Sequence, residues 1–195
     1  MSRNAEKLDE RVRRTRDALG DAMMALFQEK PWASITVQDV LERSGVGRST
    51  FYVHYTGKDD LFWSDAEEFL QAMSGWLERT GEASERVAPV REFFAHVAES
   101  AKLYDAIVRS EHAHDFLELA EGWFARGIAA RLSALPRSKH LPEEARATLS
   151  RALAGAMLSL CRAWIAERGR MPAAEADALF HRLVWSGIPA AERMG

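Results

Sequence analysis

The chain has 195 residues, of which 47% are hydrophobic and 28% are charged, with a formal net charge of −3. This apolar share excludes an intrinsically disordered chain. The longest uncharged run is ten residues, too short for a membrane-spanning helix of about 20 residues. The single cysteine, Cys161, excludes an internal disulfide framework, and no apolar leader follows Met1, so we expect a cytoplasmic protein.

Basic charge is concentrated toward the N-terminal end. Residues 1–16 hold six basic and three acidic side chains, and residues 43–58 hold three basic and no acidic ones. Residues 61–195 are mildly acidic, with 16 basic and 19 acidic side chains. A basic N-terminal part followed by a mildly acidic remainder predicts two functions on one chain, and the basic part is typical of a segment that binds nucleic acid.

The first predicted element is an amphipathic helix from Arg11 to Gln28, in which apolar residues recur at intervals of three and four. Pro31 and Trp32 end it. A second, short helix is predicted after Thr36, because Thr36 and Asp39 form a capping-box-like start. Gly45 ends that helix, since glycine tolerates the left-handed backbone of a tight turn.

Another short helix is predicted from Arg48. Phe51 and Tyr55 are spaced to face the core, and Arg48, Ser49 and Tyr52 occupy the opposite face. Two short helices around a glycine occur in many helical bundles. The absence of acidic residues across this segment favours a helix-turn-helix, whose second helix enters the major groove of DNA.

The remainder is also predicted to be helical. A longer helix runs from about Lys58 to Arg79 and breaks at Thr80 and Gly81. Proline residues then separate further helical stretches, at positions 89, 136, 142 and 172. No alternating strand pattern of useful length occurs, so we predict an all-α fold with about nine helices.

The segment from Ile35 to Leu61 resembles the N-terminal domain of the TetR family of bacterial transcriptional regulators. The matching features are the helix start at Thr36, the turn Gly45-Val46, the helix Thr50-Phe51-Tyr52, the pair His54-Tyr55, and Lys58 before Leu61. Two positions depart from the family pattern: Gly47 stands where a capping serine is frequent, and Gly57 replaces another frequent cap residue.

This resemblance implies a three-helix, helix-turn-helix DNA-binding domain in residues 1–63, joined to a helical ligand-binding and dimerisation bundle in residues 64–195. It implies a homodimeric regulator of double-stranded DNA with a palindromic operator. In this family such a regulator is most often a repressor, released when a small molecule binds. An apolar or aromatic effector is expected, because aromatic residues and methionines are abundant in the second part.

The resemblance and the helical wheel together assign seven DNA-binding residues. The start of the recognition helix contributes Arg48, Ser49 and Thr50, and Arg48 contacts either a guanine or a phosphate. Phosphate contacts are assigned to Tyr52, His54, Lys58 and Thr36. The arginines at positions 11, 13, 14 and 16 either reach the DNA backbone or the minor groove, or belong to a disordered solubilising tail.

Six residues of the second part are the candidate ligand-binding set: Trp76, Phe94, Tyr104, Phe116, Trp123 and Met157. Simple core packing is the alternative for each. The polar candidates beside them are His96, Tyr104 and His112. For dimerisation, the sequence offers an apolar stripe with small residues from Leu149 to Trp164 and a second stripe around Leu183, which suit a four-helix interface.

Other chemistry finds little support in the sequence. His114 and Glu118 have helical spacing, but one such pair predicts no metal site. Cys161 is either a redox sensor or a buried structural thiol. No phosphate-binding loop, nucleophile elbow or cofactor motif occurs, so we predict neither an enzyme nor a cofactor. The alternative function is a helical interaction or carrier protein that keeps the fold without operator binding.

Overall fold

The computed structural model describes residues 3–81, 83–167 and 170–191. These ranges contain ten α-helices, one 3-10 helix at Trp32–Ser34 and no strand, which confirms the all-α prediction. The helices are α1 (Arg3–Glu29), α2 (Val37–Ser44), α3 (Arg48–His54), α4 (Lys58–Ser74), α5 (Trp76–Arg79), α6 (Val90–Glu99), α7 (Ala101–Val108), α8 (Ala113–Ala134), α9 (Glu143–Ala166) and α10 (Ala173–Ala191).

The helix count exceeds the expected nine because the segment predicted as one helix from Lys58 to Arg79 is interrupted at Gly75. The first helix ends at Glu29, before Pro31, as predicted. None of the helices in the described ranges combines the length and the apolar character needed to cross a membrane.

The described parts of the chain pack as two compact units. The first comprises Met1–Glu68 and Lys102–His112, and the second comprises Phe69–Ala101 and Ala113–Gly195. The predicted division between residues 63 and 64 stays a prediction, because packing units and functional domains need not coincide.

The first unit is built on the apolar faces of α1 to α4. Helices α2 and α3, with eight and seven residues, are individually too short to be stable in water, so buried side chains must hold them against α1 and α4. The largest buried side chains of this core are Leu19, Met23, Phe27, Trp32, Ile35, Phe51, Leu61 and Phe62.

An aromatic cluster joins the segment Lys102–His112 to this core. The His112 ring lies 4.8 Å from the Trp32 ring, 5.5 Å from Phe62 and 5.4 Å from Trp63, measured between ring centroids. The Nε2 atom of His112 is 3.7 Å from a carboxylate oxygen of Asp59. His112, a polar ligand candidate from the sequence, is therefore surrounded by aromatic rings behind the helix-turn-helix.

The second unit has a core of aromatic and aliphatic side chains. Phe93 of α6 packs 5.0 Å from Phe124 of α8, and Phe94 packs 5.3 Å from Trp164 of α9. Helices α8 and α9 pack against each other, as do α6 and α10. Leu70, Ile128, Leu132 and Met157 are also fully buried.

A polar cluster ties the segment before α6 to α10 in the second unit. The guanidinium of Arg86 lies 2.5 Å from Glu92 and 2.7 Å from Asp177. The backbone N–H of Val87 donates to His181 Nε2 at 3.0 Å. Burial opposes the charges of Glu92 and Asp177, yet bonds from Arg86 and, for Asp177, from His181 hold both carboxyl pKa values below their usual range.

Candidate nucleic-acid interface

Helix α2 begins with the capping box that the sequence predicted. The Asp39 backbone N–H donates to Thr36 Oγ1 at 3.2 Å, and the Thr36 backbone N–H donates to the Asp39 carboxylate at 2.7 Å. Lys30 adds an ion pair to that carboxylate at 2.9 Å. Bonds from Lys30 and Thr36 lower the pKa of Asp39 well below its usual range. The polar groups of Thr36 are thus engaged in starting the helix.

A glycine sets the turn between α2 and α3. Gly45 has a φ of 70°, in the left-handed region, and its N–H donates to the Leu41 carbonyl at 3.0 Å. The space around its missing side chain is open, so the backbone angle is what requires glycine. The turn directs α3 away from α2 within three residues.

The buried ring of Phe51 determines which face of α3 points outward. Phe51 is completely buried, and Tyr55 directly after the helix is also buried, as predicted. Ser49 is exposed, Tyr52 is 52% exposed and Val53 is 79% exposed. Val53 is not among the residues predicted from the sequence, although its position one turn after Ser49 places it on the same face.

Two predicted DNA-binding cations already have partners inside the protein. Arg48 donates to Gln38 Oε1 at 2.6 Å. Lys58 donates to the carbonyl oxygens of Trp32 and Ile35, each at 2.8 Å, and lies 4.5 Å from the centre of the Trp32 ring. The Arg48 contact is exposed, whereas Lys58 is half-buried and joins the start of α4 to the 3-10 helix.

The remaining residues predicted to bind DNA lie at the edges of the outward face of α3. Thr50 and His54 are half-buried, and the His54 ring is 6.3 Å from Tyr55. Thr36 is exposed at the start of α2. Arg48, Ser49 and Tyr52 are therefore the predicted contacts on α3 that are exposed.

The four arginines at positions 11, 13, 14 and 16 lie on α1, so the interpretation as a disordered tail is wrong for them. Arg16 donates to Tyr55 at 3.1 Å, to Ser64 at 3.1 Å and to Glu68 at 3.2 Å. Arg14 pairs with Glu10 one turn earlier. Arg16 is consequently a structural residue between α1 and α4.

The candidate ligand-binding residues fall in different surroundings. Phe94, Phe116 and Met157 are buried in the second unit, where Trp123 is half-buried and Trp76 is 40% exposed. Tyr104 is buried in the first unit. The indole N–H of Trp123 is buried and has no hydrogen-bond partner among the residues that the structure describes.

A groove of about 860 Å³ runs between α8 and α9 in the second unit. None of the six candidates lines it. Its small and apolar residues include Gly122, Ala125 and Leu158. Its polar and charged residues include His114, Glu118, Glu121, Arg126, Arg151 and Arg162. No sequence pattern predicts this groove, because it depends on how two helices pair.

Two other chemical candidates are placed by the structure. Cys161 is buried, and burial raises its pKa to about 12, which favours the structural thiol over the redox sensor. His114, Asp115 and Glu118 bring their ligand atoms within 4.8 Å of one another, but all three are exposed at the start of α8. Exposed groups of this kind are common without a metal, and we assign none.

A capped short helix, a left-handed glycine turn and a second short helix with an outward polar face define a helix-turn-helix domain of the DNA-binding type. Residues 19–63 match the family model described as bacterial regulatory proteins of the tetR family. The helix-turn-helix segment of this chain is therefore of the type found in TetR-family transcriptional regulators.

Two curated relatives agree with this assignment. An uncharacterised HTH-type transcriptional regulator, YxbF of Bacillus subtilis (strain 168), is 44% identical over 57 residues, which are 29% of this chain and 15% of the relative. The HTH-type transcriptional regulator AcrR of Shigella flexneri is 29% identical over 99 residues, 49% of this chain and 46% of the relative. The chain thus matches less than half the length of either relative.

The fold agrees with solved structures at low sequence identity. A TetR transcriptional regulator from Streptococcus agalactiae 2603V has a TM-score of 0.63 at 22% identity, covering 92% of this chain and 98% of that one. The fatty acid degradation regulator FadR from Bacillus halodurans has a TM-score of 0.62 at 16% identity, with coverage of 87% and 93%. At these identities the likeness extends to the fold alone.

Proposed function

We propose that the chain is a homodimeric DNA-binding transcriptional regulator, a repressor that leaves a palindromic operator when a small, largely apolar ligand binds. The observation that carries this proposal is the outward face of α3. It is exposed, it carries hydroxyl and aromatic groups, and residues 43–58 around it contain no carboxylate that would repel phosphates.

In the proposed complex α3 lies in the major groove. Ser49 and Tyr52 contact the DNA from the centre of the outward face, and Thr50 and His54 contact it from the edges. Arg48 exchanges its bond with Gln38 for a base or a phosphate. That exchange costs little, because a hydrogen bond between exposed side chains contributes only about 1 kcal/mol net.

Lys58 and Thr36 support the surface rather than extend from it. Both carbonyl contacts of Lys58 would have to break before its ammonium could reach a phosphate. We therefore expect Lys58→Ala to weaken binding to all sequences alike without flattening the salt dependence. A direct phosphate contact would instead reduce the slope of log K against log salt by about 0.9.

The proposed dimer interface is formed by α9 and α10. On α9, Ala152 and Ala156 are exposed, and Leu153 between them is half-buried. On α10, Leu183 is 67% exposed while Phe180 and Val184 face the core. Apolar side chains left exposed on two consecutive helices suit a second copy of the chain, and two-fold symmetry then presents two α3 helices to one palindrome.

The proposed effector binds in the second unit beside Trp123. A buried N–H without an acceptor costs about 1–3 kcal/mol, and a carbonyl oxygen on an otherwise apolar molecule would accept from it. Phe116 on the same helix is a candidate wall of the site. We expect Trp123→Phe to weaken the effector without changing DNA affinity in its absence.

The second candidate function is a helical interaction or carrier protein without operator binding. The internal bonds of Lys58 and Arg48 favour it, since they leave fewer free cations near α3.

We propose no catalytic activity and no cofactor, and we propose that the protein acts in the cytoplasm. The named relatives are likewise described as regulators.

Footprinting on the DNA that flanks the protein's own gene tests the proposal. We expect a protected palindrome whose half-sites lie about 34 Å or a multiple of it apart, with affinity that falls steeply as salt rises. Tyr52→Ala should abolish the protection while Trp76→Ala, a matched exposed aromatic outside α3, should keep it. Unchanged DNA mobility for a folded wild-type protein across many sequences would support the carrier alternative.

A further inference from the structure

The recognition helix exposes an apolar side chain that the function proposed above leaves unused. Val53 is 79% exposed, more than any other large hydrophobic side chain that the structure describes. An exposed valine gains stability only where another apolar group covers it. It lies next to Tyr52, which is 52% exposed.

Helical geometry aims Val53 away from the core of the first unit. At about 100° per residue, Val53 lies about 200° around the helix from the buried Phe51, almost directly opposite it. Ser49 lies about 40° from Val53 on the same side. The surface that meets a partner of α3 is therefore a serine hydroxyl flanked by a tyrosine ring and a valine.

This surface has a particular chemistry for reading bases. Ser49, Tyr52 and Val53 include neither the guanidinium or ammonium that contacts a guanine edge with two bonds nor the amide that does so for adenine, and the nearby Arg48 donates to Gln38. In the major groove, thymine is the base that presents a methyl group. An isopropyl group on the outward face of α3 complements that methyl group by van der Waals contact.

We propose that Val53 is a specificity-determining residue that packs against the C5-methyl group of a thymine in each operator half-site. This inference rests on the proposed function, because it requires α3 to enter the major groove. Part of the preference for the operator sequence then comes from apolar contact with thymine rather than from two hydrogen bonds between an arginine and a guanine.

The test uses the full chain and the duplex that it enriches most strongly from a randomised library. Each thymine of that duplex is replaced in turn by deoxyuridine, which removes only the methyl group. For the wild type we expect one position per half-site at which affinity falls about fourfold, corresponding to about 0.8 kcal/mol for one buried methyl group. Val53→Ala should bind the thymine duplex with a similar loss and should not respond to deoxyuridine at that position.

Two controls separate this contact from a general loss of structure. Val108→Ala removes another exposed valine, on α7, and should retain the full methyl dependence. The thermal midpoint of Val53→Ala should equal that of the wild type, because the side chain makes little contact within the protein.

The possible outcomes separate failure of the Val53 contact from failure of the proposed DNA-binding function. If no duplex is enriched, the proposed function fails and this inference fails with it. If a duplex is enriched but lacks a methyl-sensitive thymine, or if Val53→Ala keeps the same sensitivity, only the role of Val53 is overturned.

Discussion

The helix-turn-helix of the first unit and the polar cluster of the second are formed by contacts over different sequence distances. In the first, the defining contacts of the helix-turn-helix are local: Thr36 and Asp39 are three residues apart, and Gly45 bonds to Leu41. In the second, Arg86 binds Asp177 across 91 residues, and the Trp185 indole donates to the Glu85 carbonyl across 100. A motif built from local contacts can be recognised in sequence, whereas a cluster built from distant residues cannot.

This difference accounts for where the family signal lies. The family model matches residues 19–63, which hold the local capping and turn contacts. Structural likeness covers 92% of the chain at only 22% identity for the Streptococcus regulator. Helices of the second unit can therefore keep their arrangement while their contacts are formed by different residues.

The largest expected effect comes from breaking the long-range cluster. Arg86→Ala leaves the nearly buried Asp177 without its guanidinium partner and Glu92 with only the exposed Arg91, and we expect a loss of about 3 kcal/mol in the free energy of unfolding. Urea unfolding at one protein concentration measures it. Arg109→Ala is the local counterpart, because its pair with Asp105 is exposed and one helical turn apart, and should cost less than about 1 kcal/mol. If both variants lost the same unfolding free energy, the long-range cluster would be no more important for stability than a local ion pair.

The next effect concerns close helix approach in the second unit. A Cβ at position 127 would lie 2.5 Å from the Ser74 carbonyl oxygen, a backbone atom that cannot rotate away. We expect Gly127→Ala to cost about 1–3 kcal/mol in thermal or urea unfolding.

Gly155 on α9 is the matched control for Gly127. Apart from its chain neighbours and the backbone of its own helix, no atom of the described residues lies within 4 Å of the Cβ that alanine would add there. Gly155→Ala should therefore be neutral, or stabilise the chain by up to about 1 kcal/mol through helix propensity. A destabilised Gly155→Ala variant would show that helix α9 is constrained by something other than the contacts described for a single copy.

Much of the first unit could be predicted from sequence, and the exceptions have one physical cause. The cap at Thr36, the turn at Gly45 and the burial of Phe51 follow from residue types at short spacing. The partners of Lys58 could not be predicted, because its acceptors are backbone carbonyls 23 and 26 residues away that only the folded chain brings together.

The second unit could be predicted only as a set of helices. Phe94 and Met157 are apolar residues on helical faces, and nothing in their spacing distinguishes a core position from the wall of a ligand site. Tyr104 belongs to the first unit, together with α7, although it lies in the region predicted to bind the ligand. Assigning it required the long-range packing of Lys102–His112.

A smaller effect depends on pH in the first unit. Burial raises the pKa of Asp65 to about 7; Arg16 acts in the opposite direction, and Glu68, Asp21 and Asp17 raise it. The unfolded value is about 3.9, so the folded state favours the protonated form. The stability that this proton provides is present below about pH 4 and is lost as the pH rises toward 7.

We therefore expect Asp65→Asn to be more stable than the wild type at pH 8, with the advantage disappearing near pH 4. Because Asp65 is partly exposed, the gain should be only about 1–2 kcal/mol. Thermal unfolding from pH 4 to pH 8 measures it. Asp17→Asn removes only the smallest of these contributions to the pKa of Asp65 and should keep most of the wild-type pH dependence, and an identical gain there would assign the effect to net charge.

The smallest effect tests whether the local cap serves folding or DNA. Thr36→Ala removes the oxygen that accepts the Asp39 N–H and should cost about 1 kcal/mol in unfolding. Thr36→Ser keeps that oxygen and should recover most of the loss.

Because the Thr36 hydroxyl also donates to the Asp39 carboxylate, it has no free proton for a phosphate in this structure. Operator affinity, measured well below the unfolding midpoint, should then change little in either variant. A loss of DNA binding in Thr36→Ala that exceeds its loss of stability would instead make Thr36 a direct phosphate contact, and the short-range contacts of the first unit would serve recognition as well as folding.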